Sequence, residues 1–449
     1  MNDLHWSRFS RTALSVAVAI VAAAPALAQN TTAAVGGRIT TADGKPVAGA
    51  TVVVRHDESG SVNTLTTDAE GRYAVRGLRV GGPYSVVVTK GADTARRGDI
   101  YLQLADSANI DLSIGATTLD RVELTGTATV TKFDSNSTGA GTSLSRKEID
   151  AYASVARNLQ DYARIDPRLA QTDKERGEIS AMGQNTRFNS ITIDGVRIND
   201  TFGLESNNLP TAKQPISIDA IQAVQVNLSN YDVTQQGYTG ANINAVTKSG
   251  TNNYKGSVYY VYRDDRMAGV RYNRTKDTYF QPADFKESTK GFTLGGPIIK
   301  DKLFFFTNYE ELHSTRSTPS FGPVGSSMTN VGITPEQIAA AIKTAKDKWG
   351  IDVGSTDIPA GVELVVKDYL AKFDWNINEK HRANIRFART EQTEPTFAGF
   401  SSTSLSLNSY WWNQKKTIDT VVGQWFADWT EDFSTEFKLS RRTYDSVPE

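Results

Sequence analysis

The sequence contains no cysteine in 449 residues, which removes disulfides, thiolate metal sites and cysteine nucleophiles from consideration. Histidine is nearly as scarce. His5, His56, His313 and His381 lie far apart and no His-Glu-x-x-His segment occurs, so neither a metal nor a cofactor is expected. No sign of charge dominates either: 49 Lys+Arg against 50 Asp+Glu gives a net charge of −1, with no basic footprint for nucleic acid. No apolar run reaches the roughly 20 residues a membrane-spanning helix needs. If such a chain enters a membrane, it does so as a β-barrel.

The longest apolar stretch, Ala13 to Ala24, follows the basic Arg8 and Arg11 and precedes the small-residue site Ala26-Leu27-Ala28. It is too short to span and has the order of a secretory signal, so residues 1–28 are expected to be cleaved near Ala28, leaving Gln29 first. From 34 to 114, short β-branched runs recur between Gly, Pro and Asp, the spacing of a small β-sandwich. The segments GKPVAGATVVV and TTDAEGRYAVRGL resemble the carboxypeptidase regulatory-like domain, a prealbumin-like sandwich. That resemblance implies carbohydrate binding or handling of a periplasmic partner, by analogy of fold. His56 reads as a surface or strand-edge histidine, and a peptidase role would need a nucleophile–base or metal set that is not visible.

Residues 135–252 carry the stretch that organises the chain. Ile191, Ile193, Val196 and Ile198 flank Asp194-Gly195, the dipeptide suited to a type I′ hairpin. Ile218, Ile221, Val224 and Val226 form a second strand pattern. Ser135 to Ser145 reads as a Ser/Gly/Thr linker, and Leu144 to Leu169 as two helical pieces stopped by Asp166-Pro167. The order DGVRIND, IDAIQAVQV, GANINAVTKSGTN resembles the plug domain of TonB-dependent outer-membrane receptors, of the Oar-like type. The resemblance implies that residues 117–131 hold a TonB box and linker, with Asp120, Arg121, Val122, Glu123, Leu124, Thr125 and Gly126 binding TonB. Such a segment can add as a strand to a partner's sheet edge. It also implies a plug apex where Asn185, Arg187, Asn199, Asp200 and Asn207 contact ligand.

From 254 to 449 seven strand patterns follow: KGSVYYVYR, TKGFTLGGP, KLFFFTNYEEL, LVVKDYLAKFDWNI, RANIRFART, KTIDTVVGQWFADW and TEFKLSRR. Long and short connections alternate, and the aromatics Tyr259, Tyr260, Tyr262, Tyr410, Trp411, Trp412, Trp425, Trp429 and Phe433 gather near strand ends, as in an interfacial girdle. Thr334-Pro335-Glu336-Gln337 starts a helix with a capping box and Gly350 ends it, with Ile338, Ile342 and Trp349 expected on its packed side. Seven strands cannot close around a plug of this size, and plugged transporters use 22. The expected fold is therefore mostly β: a prealbumin-like sandwich, an α/β plug and the first strands of a 22-stranded transmembrane β-barrel that is incomplete here.

The resemblance implies an outer-membrane transporter energised by the TonB complex and embedded in outer-membrane lipid, and not an enzyme. Where siderophore receptors often carry Arg-Gly-Pro, this chain has Leu228-Ser229-Asn230-Tyr231. That departure disfavours a ferric siderophore without excluding it, and the Oar-like pattern with its N-terminal sandwich implies carbohydrate, peptide or protein cargo instead, moved inward or outward. A non-transporting adhesin or structural surface protein would share the barrel and long loops but would need neither box nor plug.

Overall fold

A computed structural model describes residues 31–115 and 139–449, apart from 155, 174–176, 204, 231–237, 274–276, 282–283, 316–318, 320, 327, 359–361 and 431–432. The signal and TonB-box readings lie outside the described residues.

The first domain is a sandwich of two four-stranded sheets. One orders Arg72–Leu78, Ala33–Thr41 and Ser107–Asn109, with Leu112–Ile114 also on Ala33–Thr41. The other orders Val62–Thr66, Thr51–His56, Gly81–Lys90 and Asp93–Leu102. In Thr51–His56, Val52 and Val54 face inward while Thr51 and Arg55 face out, the period of two that buries one face of a strand. Val52, Val54, Val86, Val88, Ile39 and Ile100 meet between the sheets with Tyr84. The Tyr84 hydroxyl donates to the Arg79 carbonyl at 2.9 Å, so its polar end is satisfied. His56 is not at the surface as its sequence context predicts. It is buried beside Tyr84, and its Nδ1 lies 2.7 Å from Ser59 Oγ and accepts from the Ser59 amide at 3.2 Å.

The second domain centres on a five-stranded sheet in the order Val196–Arg197, Ser190–Ile193, Asn242–Thr247, Ile221–Asn230, Gly139–Ser145. Asp194 and Gly195 turn the hairpin with φ of 49° and 72°, both in the left-handed region that a type I′ turn requires. Ser190–Ile193 and its parallel partner Asn242–Thr247 are buried at every position, because both faces of the sheet are covered. The linker reading fails over Gly139–Ser145, which is an edge strand antiparallel to Ile221–Asn230. Main-chain pairing makes this strand, and its Gly/Ser/Thr side chains do not announce it. The helices are shorter than expected, Arg146–Ala151 and Leu159–Ala163. Ser145 and Glu148 close a capping box at the first, and Asn158 caps the second.

Seven antiparallel strands then form one sheet in chain order: Lys255–Asp264, Lys286–Ile299, Leu303–Ser314, Leu364–Asn376, His381–Thr396, Trp412–Asp428 and Ser434–Pro448. All seven overlap the sequence patterns and most run longer. Along Leu364–Asn376 the polar Asp368, Lys372, Asp374 and Asn376 are buried, whereas Tyr369, Phe373 and Trp375 are exposed. This polarity is the reverse of a water-soluble sandwich. It suits a wall with lipid outside and a polar lumen inside. The sheet curves around the plug, whose Ile191 and Ile243 share a core with Phe306 and Leu370 of the wall. Among the described residues, the outer edges of the first and seventh strands pair with no further strand.

Three short connections, between Ile299 and Leu303, Asn376 and His381, and Asp428 and Ser434, define one rim, and the long connections define the other. On the long-loop side, Thr334 and Gln337 close the expected capping box of Pro335–Trp349, and Gly350 ends it at φ 66°. Ala345 is its buried residue and Trp349 is exposed, against expectation. Trp425 and Trp429 cluster with His381 at the short-turn rim. Tyr259 departs from the girdle reading, since its hydroxyl points inward to Glu310 at 2.7 Å.

Candidate functional site

Polar side chains hold the plug to the wall at three levels. Nearest the short-turn rim is the Asp194 hairpin tip. Its carboxylate accepts from the Thr247 amide at 2.9 Å and the Thr247 hydroxyl at 2.8 Å, and pairs with Arg386 Nε at 2.8 Å. Lys372 reaches the same corner, donating to Thr247 Oγ1 at 3.1 Å. Burial alone would push the Asp194 carboxyl up. The Arg386 and Lys372 charges and the two Thr247 bonds outweigh it and hold the group below the usual carboxylate range.

At mid-height the wall contributes Glu310. Lys213 pairs with one of its oxygens, and Ser217 Oγ donates to the other at 2.8 Å, beside the Tyr259 hydroxyl. Arg157 of the plug lies 3.4 Å from Glu310, pairs with Asp219 and sits 4.6 Å from the centre of the Tyr259 ring. Lys213 is also 3.9 Å from Asp368. A buried carboxylate that collects two cations and two hydroxyls is a strong clamp, because removing any partner strands a desolvated charge. The third level lies towards the long loops. There Gln392 accepts from the Ala212 amide at 2.8 Å, Lys416 pairs with Glu205 at 2.6 Å, and Arg442 donates to the Asn199 carbonyl at 3.2 Å. Beside these contacts a cavity of about 530 Å³ opens between plug and wall, lined by Arg157, Gln160, Lys213, Arg263, Glu287 and Leu312 among others.

The five residues expected at the plug apex do come to one end of the hairpin. Asn208 ties the two segments together, donating to the carbonyls of Thr186 at 3.1 Å and Asn189 at 2.8 Å. They differ in availability. Asn185 and Arg187 are exposed on a short 3-10 turn, which Asn185 caps by accepting from the Arg187 amide at 3.0 Å. Asp200 is half-buried and accepts from the amides of Phe202 and Glu205. Asn199 is buried: Oδ1 accepts from the Ile191 amide and Arg197 Nε, and Nδ2 donates to the Asn189 carbonyl. Asn207 is buried as well, bonded to the Thr211 and Ala212 carbonyls and to the Leu209 amide. These two side chains are engaged by plug backbone and present nothing to a ligand. The clamp residues Arg157, Lys213, Ser217, Asp219 and Glu310 are not apparent from the sequence. Their one signal is charge on the inward face of a strand, which does not name a partner.

Residues 34–115 match the carboxypeptidase regulatory-like domain and residues 246–349 match an outer membrane beta barrel domain. The TonB-dependent transporter Oar of Myxococcus xanthus is 27% identical over 405 residues, covering 86% of this chain and 36% of the transporter. The chain is similar to Oar along most of its own length. It spans little more than a third of the length of Oar, whose match runs from the sandwich through the plug into the wall strands. Among solved structures, the outer membrane transporter YddB from Escherichia coli matches at TM-score 0.47 and 12% identity, over 67% of this chain and 38% of that one. The siderophore receptor PirA from Pseudomonas aeruginosa matches at TM-score 0.41 and 11% identity, over 68% and 42%. By description Oar and YddB are transporters and PirA is a siderophore receptor.

Proposed function

We propose that this chain supplies the sandwich, the plug and the first wall strands of a TonB-dependent transporter of the outer membrane. One observation carries the reading most. A sheet with apolar residues outside and charged residues inside is wrapped around a domain that it holds through hydrogen bonds and ion pairs. Polar clamps suit a plug that must move. They can be exchanged for water as the interface opens, whereas a large apolar interface could not.

In this reading Asp120 to Gly126 pairs with TonB as an added strand, and force on it reaches the plug through the edge strand Gly139–Ser145. Asn185, Arg187 and Asp200 meet cargo at the outward end, while Asn199 and Asn207 fix the loop that presents them. The cargo is a carbohydrate, peptide or protein in preference to a ferric siderophore, a reading supported by the Oar-like pattern with its N-terminal sandwich and by Leu228-Ser229-Asn230-Tyr231, where siderophore receptors often carry Arg-Gly-Pro. The signal at 1–28 delivers the chain for insertion into the outer membrane.

The test uses the full-length protein in its native cells. A cysteine replacing Glu123 is expected to cross-link to TonB, and Val122→Pro is expected to abolish the cross-link by removing a backbone donor. Outer-membrane insertion should be unaffected. A wild-type segment that never cross-links would make it a linker and leave the adhesin reading standing.

A further inference from the structure

The sandwich does not hang free of the wall. Its His56–Asn63 corner touches two of the short turns and the end of the strand Trp412–Asp428 that leads into the third. Gly60 abuts Asp301, Asn63 Nδ2 lies 3.5 Å from the Glu379 carbonyl, and the same atom lies 3.4 Å from Asp428 Oδ2. Glu58 pairs with Lys255 at 2.5 Å, and its carbonyl accepts from the Asn252 amide at 2.8 Å. Deeper in, Arg79 enters the barrel. It donates to Asn376 at 3.2 Å, lies 3.9 Å from Asp374 and sits 5.5 Å from the centre of the Phe304 ring. In the opposite direction Arg382 of the wall donates to the Gly77 carbonyl of the sandwich.

We propose that the sandwich is a detachable cap: at rest it closes the short-turn mouth of the barrel, and it must lift off for the transport cycle. The proposal rests on the transport reading above. Three observations favour release over a permanent bond. First, the joint is mostly polar. Its apolar seam is small, comprising Val80 and Leu104 of the sandwich against Ala223 and Val246 of the plug. Second, a cavity of about 100 Å³ remains at the centre of the joint, and Arg79 Nη1 and Asp374 Oδ2, both buried in this region, make no hydrogen bond there. A well-fused domain interface leaves few such groups, because each one costs stability. Third, residues 115–138 join the last sandwich strand to the first plug strand, a length that reaches about 80 Å when extended, so the cap can leave without withdrawing the plug.

The test is thiol accessibility in whole cells expressing the full-length protein. Ala223 is buried under Leu104 at the joint, and Ala223→Cys is a small change in a chain that otherwise lacks cysteine. A water-soluble maleimide is the probe, in energised cells and in cells treated with a protonophore. The expected result is a rise of about tenfold in labelling rate on energisation, equivalent to shifting the opening equilibrium by ~1.4 kcal/mol. A second variant, Gly60→Cys with Asp301→Cys, covers the case in which Ala223→Cys does not fold. A Cβ on Gly60 would lie 3.2 Å from that of Asp301, near the range of a disulfide, so resting cells should form the bond and energised cells should form it more slowly. Equal protection of both variants in both conditions would overturn the proposal, as would equal labelling. A Ser217→Cys control at the plug clamp separates the two readings. If its labelling responds to energisation and the joint does not, the cap falls and transport stands. If neither responds, both fall.

Discussion

Asp194 at the tip of the plug hairpin and Arg386 on the fifth wall strand form an ion pair at 2.8 Å, with side chains 5% and 3% exposed. The pair joins two domains that share no secondary structure, and both partners are buried. Removing only one partner leaves an uncompensated buried charge, which costs about 3–5 kcal/mol. Arg386→Met is therefore expected to destabilise the plug within the barrel by that order, and Asp194→Asn added to it should recover part of the loss. Urea unfolding of the full-length protein in detergent, followed by proteolysis of the released plug, measures both.

The same pair gives a pH dependence. The Asp194 carboxyl is held below its ordinary value, with burial opposed by the Arg386 and Lys372 charges and the Thr247 bonds. A depressed carboxyl contributes stability that is fully present above its unfolded value of about 3.9 and is lost as pH falls towards the folded value. Plug release should therefore begin below about pH 4, and Asp194→Asn should flatten that limb of the pH profile.

His56 works over a different range. Burial, followed by the charges of Arg79, Arg382 and Lys255, lowers it to about 3, and the Ser59 amide that donates to Nδ1 requires that nitrogen to be unprotonated. A depressed histidine stabilises the fold above its unfolded value of about 6.5, and that stability drains as pH falls towards the folded value. Between pH 7 and pH 5 the sandwich and its joint should lose about 2 kcal/mol, at 1.36 kcal/mol per unit. His56→Gln should be less stable at pH 7 and nearly insensitive to pH over this interval. Thermal unfolding at the two pH values distinguishes the variants.

Glu310→Gln removes the charge that Lys213 and Arg157 share. The expected cost is again about 3–5 kcal/mol, whereas Ser217→Ala, which removes one hydroxyl donor, should cost about 1 kcal/mol. Limited proteolysis of the plug in intact outer membranes should rank the two variants in that order.

The apex residues separate in the same kind of measurement. Asn199→Ala leaves the Ile191 amide and the Asn189 carbonyl without partners and should destabilise the plug by about 1–3 kcal/mol per stranded group. Arg187→Ala, on an exposed turn, should leave stability unchanged. Once a ligand is in hand, Arg187→Ala should weaken its binding, and unchanged affinity would place the contacts elsewhere.

Legibility in the sequence followed the range of the interactions. The Asp194-Gly195 turn and the capped helix Pro335–Trp349 are written in neighbouring residues, and each stands where its pattern puts it. The strand Gly139–Ser145 exists because the edge of Ile221–Asn230 was free to pair, which no side chain in it reveals. The Lys213–Glu310 pair joins residues 97 apart, and Tyr259 serves that carboxylate although it shares a Tyr-rich strand with the outward Tyr260. Strand alternation identified two faces in the wall. Which face met lipid depended on the plug lying against one of them.

That assignment of faces is the central claim, and spin labels along Leu364–Asn376 in native outer membranes test it most directly. Labels replacing Tyr369, Ala371, Phe373 and Trp375 should collide readily with oxygen dissolved in lipid, while labels replacing Asp368, Lys372 and Asp374 should be shielded, giving a period of two along the strand. An absent period, or one with the polar positions in lipid, would contradict the account.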